Sequence, residues 1–251
     1  FENDLLPPIS IIAPAYNEEV NIITSVRSLL NLKYPKYEVI VVNDGSKDNT
    51  LSELIKYFDL KRKSPYIHMA LPTKNIRGIY LNPAYPNLIV VNKANGGKAD
   101  ALNVGINISN HPYICGIDAD SVLDQDALLR LMSSSIDHKE EAIALGGNIV
   151  PANGCKIDYG HVEERHFPKE VLTRFQAVEY IRSFSSGRLG WSQLNGLLII
   201  SGAFGLFYKD DIVKIGGYIT STGSLKKDSV GEDMELVVRL THQRMKENKK
   251  S

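Results

Sequence analysis

Two cysteines in 251 residues, Cys115 and Cys155, are too few for a disulfide framework. Cys115 sits inside an apolar run, where a thiol behaves as a small buried hydrophobe, so the chain reads as one kept under reducing, cytosolic conditions. Neither sign of charge is in excess. The 29 Lys and Arg balance 29 Asp and Glu, which argues against the basic footprint of a nucleic-acid-binding surface. No apolar run reaches the roughly 18 residues of a membrane-spanning helix, and the longest candidate, 194–208, is broken by Gly196, Ser201, Gly202 and Gly205. A signal peptide, an internal repeat, a G-x-G-x-x-G fingerprint, a G-x-S-x-G elbow and an H-E-x-x-H zinc motif are all missing. His161 and His166 flank two glutamates, but a spacing of five does not share one helix face, so a zinc site there is set aside.

Apolar residues make up 43% and charged residues 23%, the balance of a globular protein able to bury a core. Short β-branched runs alternate with helical periodicity. Ile9 to Ala13 reads as a strand closed by Pro14, and Ile22, Ile23, Val26, Leu29 and Leu30 mark one helix face. Val39 to Val42 is a second strand, running into the turn 43–49, after which Leu51, Leu54, Ile55 and Phe58 mark another helix. Strand–helix–strand–helix order predicts a parallel sheet. Pro65, Pro72, Pro83 and Pro86 punctuate 59–87, which reads as an irregular insertion. Leu88 to Val91 and Tyr113 to Ile117 are further strands, with a helix over Lys98–Ile108 between them and another carrying Ala127, Leu128, Leu131 and Met132. Ile143 to Leu145 and Leu197 to Ile200 are strand candidates. The periodicity predicts a helix over 170–185 with Val171, Leu172, Phe175, Val178 and Ile181 facing inward, and a helix starting at Glu232.

The strand 113–117 ends in Asp118-Ala119-Asp120. Ligands of open α/β sheets bind outside the carboxyl ends of strands, and two acids there suit a hard divalent cation holding a diphosphate. Asp44 follows a strand in an Asn-Asp-Gly-Ser turn, which is either a tight turn or a carboxylate poised for a ribose or base. Lys98 follows Gly96-Gly97 at a helix start, where it opposes the helix dipole, so a phosphate or Asp118 is its expected partner. Glu232-Asp233 opens a helix; the pair either complements the dipole or supplies a general base. Ser201-Gly202-Ala203-Phe204 combines small residues with an aromatic face suited to a sugar.

Six segments in order resemble the inverting family 2 glycosyltransferases: 14–19 (Pro-Ala-Tyr-Asn-Glu-Glu), 42–46, 95–103, 118–120, 201–204 and 231–236. The nearest resemblance is to the membrane-embedded synthases of the cellulose, chitin, hyaluronan and poly-N-acetylglucosamine group. It implies a GT-A fold, that is, α/β with a Rossmann-like, mixed but mostly parallel central sheet flanked by helices. One domain would span 1–251, with a nucleotide-binding half over about 1–120 and an acceptor-binding half over about 121–251. Pro14, Ala15, Tyr16, Glu18, Asp44, Lys98 and Asp118 would bind the nucleotide, Asp120 would ligate Mg²⁺ or Mn²⁺, and Ser201, Gly202, Ala203 and Phe204 would line the acceptor pocket. Asp233, beside Glu232, would be the base.

The implied reaction moves a sugar from a UDP-sugar to a saccharide or lipid-linked acceptor in polysaccharide synthesis, at the cytoplasmic face of the cell membrane, with no nucleic-acid partner. The chain lacks the Gln-x-x-Arg-Trp motif of processive relatives; Gln243-Arg244-Met245 is a superficial echo and the sole tryptophan is Trp191. That motif and the membrane helices are expected outside this chain, which reads as a piece of a longer membrane protein. Two alternatives remain open. A sugar nucleotidyltransferase would carry a Gly-rich basic N-terminal loop, which 14–17 lacks, and a degenerate, non-catalytic regulator would have no need of Asp118, Asp120 and Asp233 together.

Overall fold

Buried β-branched runs build the centre of the molecule. The structure is a computed structural model, describing residues 6–64, 68–137, 143–158, 161–164, 166–184, 200, 204–221 and 231–247. β1 (Ile9–Ala15) lies between β2 (Tyr37–Asn43) and β6 (Tyr113–Gly116), parallel to both, and β5 (Leu88–Lys93) extends the parallel set beyond β2. Pro14 falls inside β1, not at its end. Pairing with β6 stops at Ile12, so its missing N–H costs no ladder bond on that side.

The stretch 59–87 departs from the expected irregular insertion. It contributes β3 (Lys61–Lys63) and β4 (Ile76–Leu81), antiparallel to each other and to β5. Pro72, Pro83 and Pro86 lie outside these strands, so the prolines mark their limits and do not forbid pairing. On the other edge β10 (Gly205–Tyr208) pairs antiparallel with β6 and with β7 (Ala144–Gly146). The eight strands run in the order β3-β4-β5-β2-β1-β6-β10-β7. This is the mixed, mostly parallel α/β sheet that the sequence predicts. A separate hairpin joins β8 (Lys156–Asp158) and β9 (His161–Glu164).

Strand residues alternate between two apolar layers. Ile9, Ile11, Ala13, Val39, Val41 and Val90 meet α1 (Ile22–Leu30), α2 (Thr50–Tyr57) and α4 (Ala127–Asp137) on one face. Ile12, Ile40, Val42 and Val91 meet α3 (Lys98–Ile108), α6 (Lys209–Lys214) and α7 (Glu232–Lys246) on the other. Gly105 lets α3 lie flush on β1: a Cβ there would stand 2.3 Å from Ile12 Cγ2. Among the described residues, no helix is long and apolar enough to cross a membrane.

The helix expected over 170–185 is present as α5 (Val171–Arg182), but its polarity is reversed. Thr173 and Ala177 are its buried residues, whereas Val171, Leu172, Phe175, Val178 and Ile181 are exposed, Leu172 at 82%. The strand expected at 197–200 lies, save for Ile200, outside the described residues.

Candidate active site at the carboxyl ends of β1, β2 and β6

From β1 the chain proceeds to β2 and β5 on one side, then returns to β6 on the other. A crevice opens at such a reversal, outside the carboxyl ends of the strands. Pro14, Ala15, Tyr16, Glu18, Asp44, Lys98, Asp118, Ala119 and Asp120 line one open cavity there, of about 260 Å³. The structure therefore brings together all seven residues expected at the nucleotide and the one expected at the metal.

Two loops that carry part of this lining are stapled to each other. Asn17, in the left-handed region at φ 58°, takes its N–H to Ser46 Oγ at 3.0 Å and accepts from Lys47 N–H at 2.8 Å. Glu18 N–H donates to Thr50 Oγ1 at 2.8 Å, Glu19 N–H to Asp48 Oδ2 at 3.1 Å, and Asn49 N–H to Glu19 Oε2 at 2.9 Å. These bonds tie the loop before α1 to the loop before α2, and Tyr16, 43% exposed, stands at the rim. Burial first, then the neighbouring carboxylates of Asp120, Asp48 and Asp118, push the Glu18 carboxyl above its ordinary value.

Lys98 reaches Asp118 at 2.6 Å and Glu232 at 4.0 Å. Burial alone would lower its ammonium, but the Asp118 hydrogen bond and the charges of Asp118, Asp233 and Glu232 prevail and raise it. Glu232 opens α7 and is itself pushed up, first by burial and further by Asp233 and Asp118, against the opposing pull of Lys98. Asp233 adds to the negative field around Lys98 and around the buried Tyr218 hydroxyl. The start of α7 thus faces the strand ends across Lys98, although more than 110 residues separate them in sequence.

Of the expected acceptor-binding segment, Ser201, Gly202 and Ala203 lie outside the described residues. Phe204 is 6% exposed and packs over Gly147, where a Cβ would stand 2.1 Å from the ring. Its ring is a core element with little surface left for a sugar.

The sequence reading missed the groups behind the cavity. Lys93, the last residue of β5, is wholly buried and pairs with both Asp44 and Asp100, the latter at 2.8 Å. Its third proton goes to Ala94 O at 2.7 Å. Asp44 also accepts from Gly96 N–H at 3.0 Å, Gly97 N–H at 2.8 Å and Asn95 Nδ2 at 3.2 Å. The signal was one of register: Asn43 pairs with Asn92, so the next residues, Asp44 and Lys93, leave the sheet side by side. Asn103 closes the segment 95–103. It grips the Tyr218 backbone in both directions, donating to its O at 2.9 Å and accepting from its N–H at 2.8 Å.

The family model of glycosyl transferase family 2 matches residues 10–208. The chain is similar to the poly-beta-1,6-N-acetyl-D-glucosamine synthase of Staphylococcus aureus strain COL, at 29% identity over 237 residues, 94% of this chain and 46% of the synthase. It is also similar to the synthase of the same name from Staphylococcus epidermidis, at 27% over 239 residues, 95% and 47%. It thus spans about half the length of the curated relatives it matches. Among solved structures, the mannosyltransferase PcManGT of Pyrobaculum calidifontis, in complex with GDP-Man and Mn2+, matches with a TM-score of 0.63 at 17% identity, over 96% of this chain and 54% of that one. S. aureus TarS 1–349 in complex with UDP-GlcNAc matches with a TM-score of 0.54 at 17% identity, over 93% and 53%. At such identities these two likenesses concern the fold alone.

Proposed function

Since the chain belongs to glycosyl transferase family 2, we propose that it moves a sugar from a UDP-sugar to a saccharide or lipid-linked acceptor, inverting the anomeric centre. One domain does this, with its first 120 or so residues holding the nucleotide and the remainder the acceptor. Similarity to the poly-beta-1,6-N-acetyl-D-glucosamine synthases favours polysaccharide synthesis at the cytoplasmic face of a cell membrane, reached through segments outside this chain. The observation that carries the reading is the convergence of Glu18, Asp44, Lys98, Asp118 and Asp120 in one cavity, with Glu232 4.0 Å from Lys98.

The cavity's donors are oxygens, the chemistry a hard divalent cation requires. Its acids also crowd one another: beyond the effect of burial, Asp120, Asp48 and Asp118 push the Glu18 carboxyl further up. Among the described residues, no three His, Cys, Asp or Glu side chains form a cage that would hold an ion unaided. Asp120 would therefore hold Mg²⁺ or Mn²⁺ together with diphosphate oxygens and water. A bound ion would neutralise charge on the leaving diphosphate.

The protein's own groups perform the rest. Tyr16 and the backbone of Pro14 and Ala15 bound the nucleotide, and Lys98, oriented by Asp118, presents its ammonium to the diphosphate. Asp233 accepts the proton of the acceptor hydroxyl as that oxygen attacks the anomeric carbon. The bond from that carbon to the diphosphate oxygen breaks on the opposite face, so the configuration inverts.

Calorimetric titration with UDP, with and without Mn²⁺, tests the donor site. Binding that depends on the metal and is lost in Asp120→Ala is expected; no binding of UDP, GDP or dTDP by the folded chain would overturn the reading. In the full-length protein, Asp233→Asn should cut transfer by about 100-fold or more, the scale of a lost general base, while sparing UDP affinity. Unchanged transfer would remove Asp233 from the role of base.

A further inference from the structure

Behind the cavity, and joined to it through Asp44, stands the buried triad of Lys93, Asp44 and Asp100. All three side chains are at most 4% exposed. Every ammonium proton of Lys93 has an acceptor: Asp44, Asp100 and Ala94 O. An ionised carboxylate offers about four acceptor positions. On Asp44 all four are occupied, by Lys93 and Gly96 N–H on Oδ1 and by Asn95 Nδ2 and Gly97 N–H on Oδ2. Asp100 accepts Lys74 N–H on both oxygens, at 3.2 and 3.1 Å.

The turn 95–97 is gripped between the two aspartates. A Cβ on Gly96 would stand 2.8 Å from Asp100 Cγ, and one on Gly45 would stand 2.8 Å from Asn95 N. Lys98 follows directly and ends on Asp118. Burying three charges is poor value as a source of stability, since an apolar trio of similar volume often does as well. Such groups are better explained where a site needs its parts held still.

Resting on the donor-site reading above, we propose that Lys93 is a positioning residue for the nucleotide diphosphate. It clamps Asp44 to Asp100, closes the turn 95–97, and thereby fixes where Lys98 enters the cavity. Asp44 then serves the cavity chiefly from behind, as the anchor of that turn.

The test uses the whole chain, UDP and uridine, with Mn²⁺ present. Lys93→Met leaves two buried acids and is expected to fold poorly, so the deciding variant is Lys93→Gln with Asp100→Asn, which removes the buried charge balance but keeps hydrogen-bonding amides. Expected are a tenfold or greater loss of UDP affinity in the folded double variant, a change of less than threefold for uridine, and faster hydrogen exchange at the Gly96 and Gly97 amides while Val41 and Val90 stay protected. UDP affinity within threefold of the parent would overturn the proposal, as would equal losses for UDP and uridine, the mark of a merely structural role. Fast exchange at Gly96 and Gly97 in the unmodified chain would overturn it without any variant. If the unmodified chain binds none of UDP, GDP and dTDP, the donor-site reading itself falls and this inference with it.

Discussion

The parallel strands and the part of the chain beyond β6 secure their polar groups in different ways. At the carboxyl ends of β1, β2 and β5, neighbouring loops are stapled to one another, and a buried lysine draws two aspartates together behind the cavity. Beyond β6, the turns and helices are held by single side chains that reach them from neighbouring helices. Asn103 grips Tyr218, Arg239 of α7 donates to Ile215 O at 2.8 Å and Gly217 O at 2.7 Å, and Arg244 reaches Asp211 of α6 at 2.5 Å. The first region shares each charge among many partners, so its geometry is over-determined. In the second, among the described residues, Arg239 ties the early turns of α7, through Glu235, to the turn 215–217, and Arg244 ties the far end of α7 to α6, each a separable strut. The cavity is therefore set before any ligand arrives, while the residues facing it from α7 depend on contacts that can be removed one at a time.

Removing one member of each kind of contact measures the contrast. Asp44→Ala breaks one of the two buried pairs of Lys93, leaving Asp100 as its sole carboxylate, and strips Asn95, Gly96 and Gly97 of their acceptor; it should cost about 3–5 kcal/mol, the range for breaking a buried ion pair, read from urea unfolding. Arg244→Met breaks the largely buried pair with Asp211, whose side chains are 9% and 14% exposed, and should cost about 1.5–3 kcal/mol, as for a hydrogen bond to a charged group. Equal losses would mean that the triad is no more tightly determined than the strut.

Two glycines extend the same contrast to apolar packing. Gly105→Ala places a methyl 2.3 Å from Ile12 Cγ2, between a helix and the central strand, where Ile12 is wholly buried. Overpacking there should cost about 1–3 kcal/mol. Gly147→Ala meets the Phe204 ring at 2.1 Å, but Gly147 lies just past the edge strand β7, where the backbone can give, so about 1 kcal/mol is expected. A larger loss at Gly147 than at Gly105 would show that the second region is the more rigid of the two.

Much of the first region was legible in the sequence because burial on both faces leaves continuous β-branched runs. Lys98–Ile108 emerged with its bounds intact, since Gly96-Gly97 opens the helix and Ser109 closes it in extended backbone. The cavity residues could be found because six segments in order resemble one family; an acid pair or a lysine after a turn reads, taken alone, equally as a turn or a cap. Lys93 was not found, since a lysine ending a strand looks solvated until the register sets it beside Asp44. The strands β3 and β4 were obscured by prolines that turned out to flank them. On α5 the apolar period was real, but it marked the exposed face: periodicity gives a stripe without saying which side packs, and Thr173 with Ala177 took the inner position.

The smallest expected effect leaves stability untouched and uses one cysteine from each region. Burial alone pushes the Cys115 thiol up to about 12, and it sits in β6 between β1 and β10. Cys155 stands beside the β8–β9 hairpin, partly exposed. The thiolate is the reactive form, so at pH 8 native Cys115 is both protonated and shielded. Iodoacetamide should label Cys155 within minutes and Cys115 only when the sheet opens, followed by mass spectrometry of the peptides. Because global and local opening differ in free energy, raising urea below the unfolding midpoint should speed Cys155 first. If Cys115 were instead labelled in step with Cys155, β6 would open together with the second region. The contrast between an over-determined site and a strutted one would then have to be redrawn with β6 on the looser side, taking Asp118 and Asp120 with it.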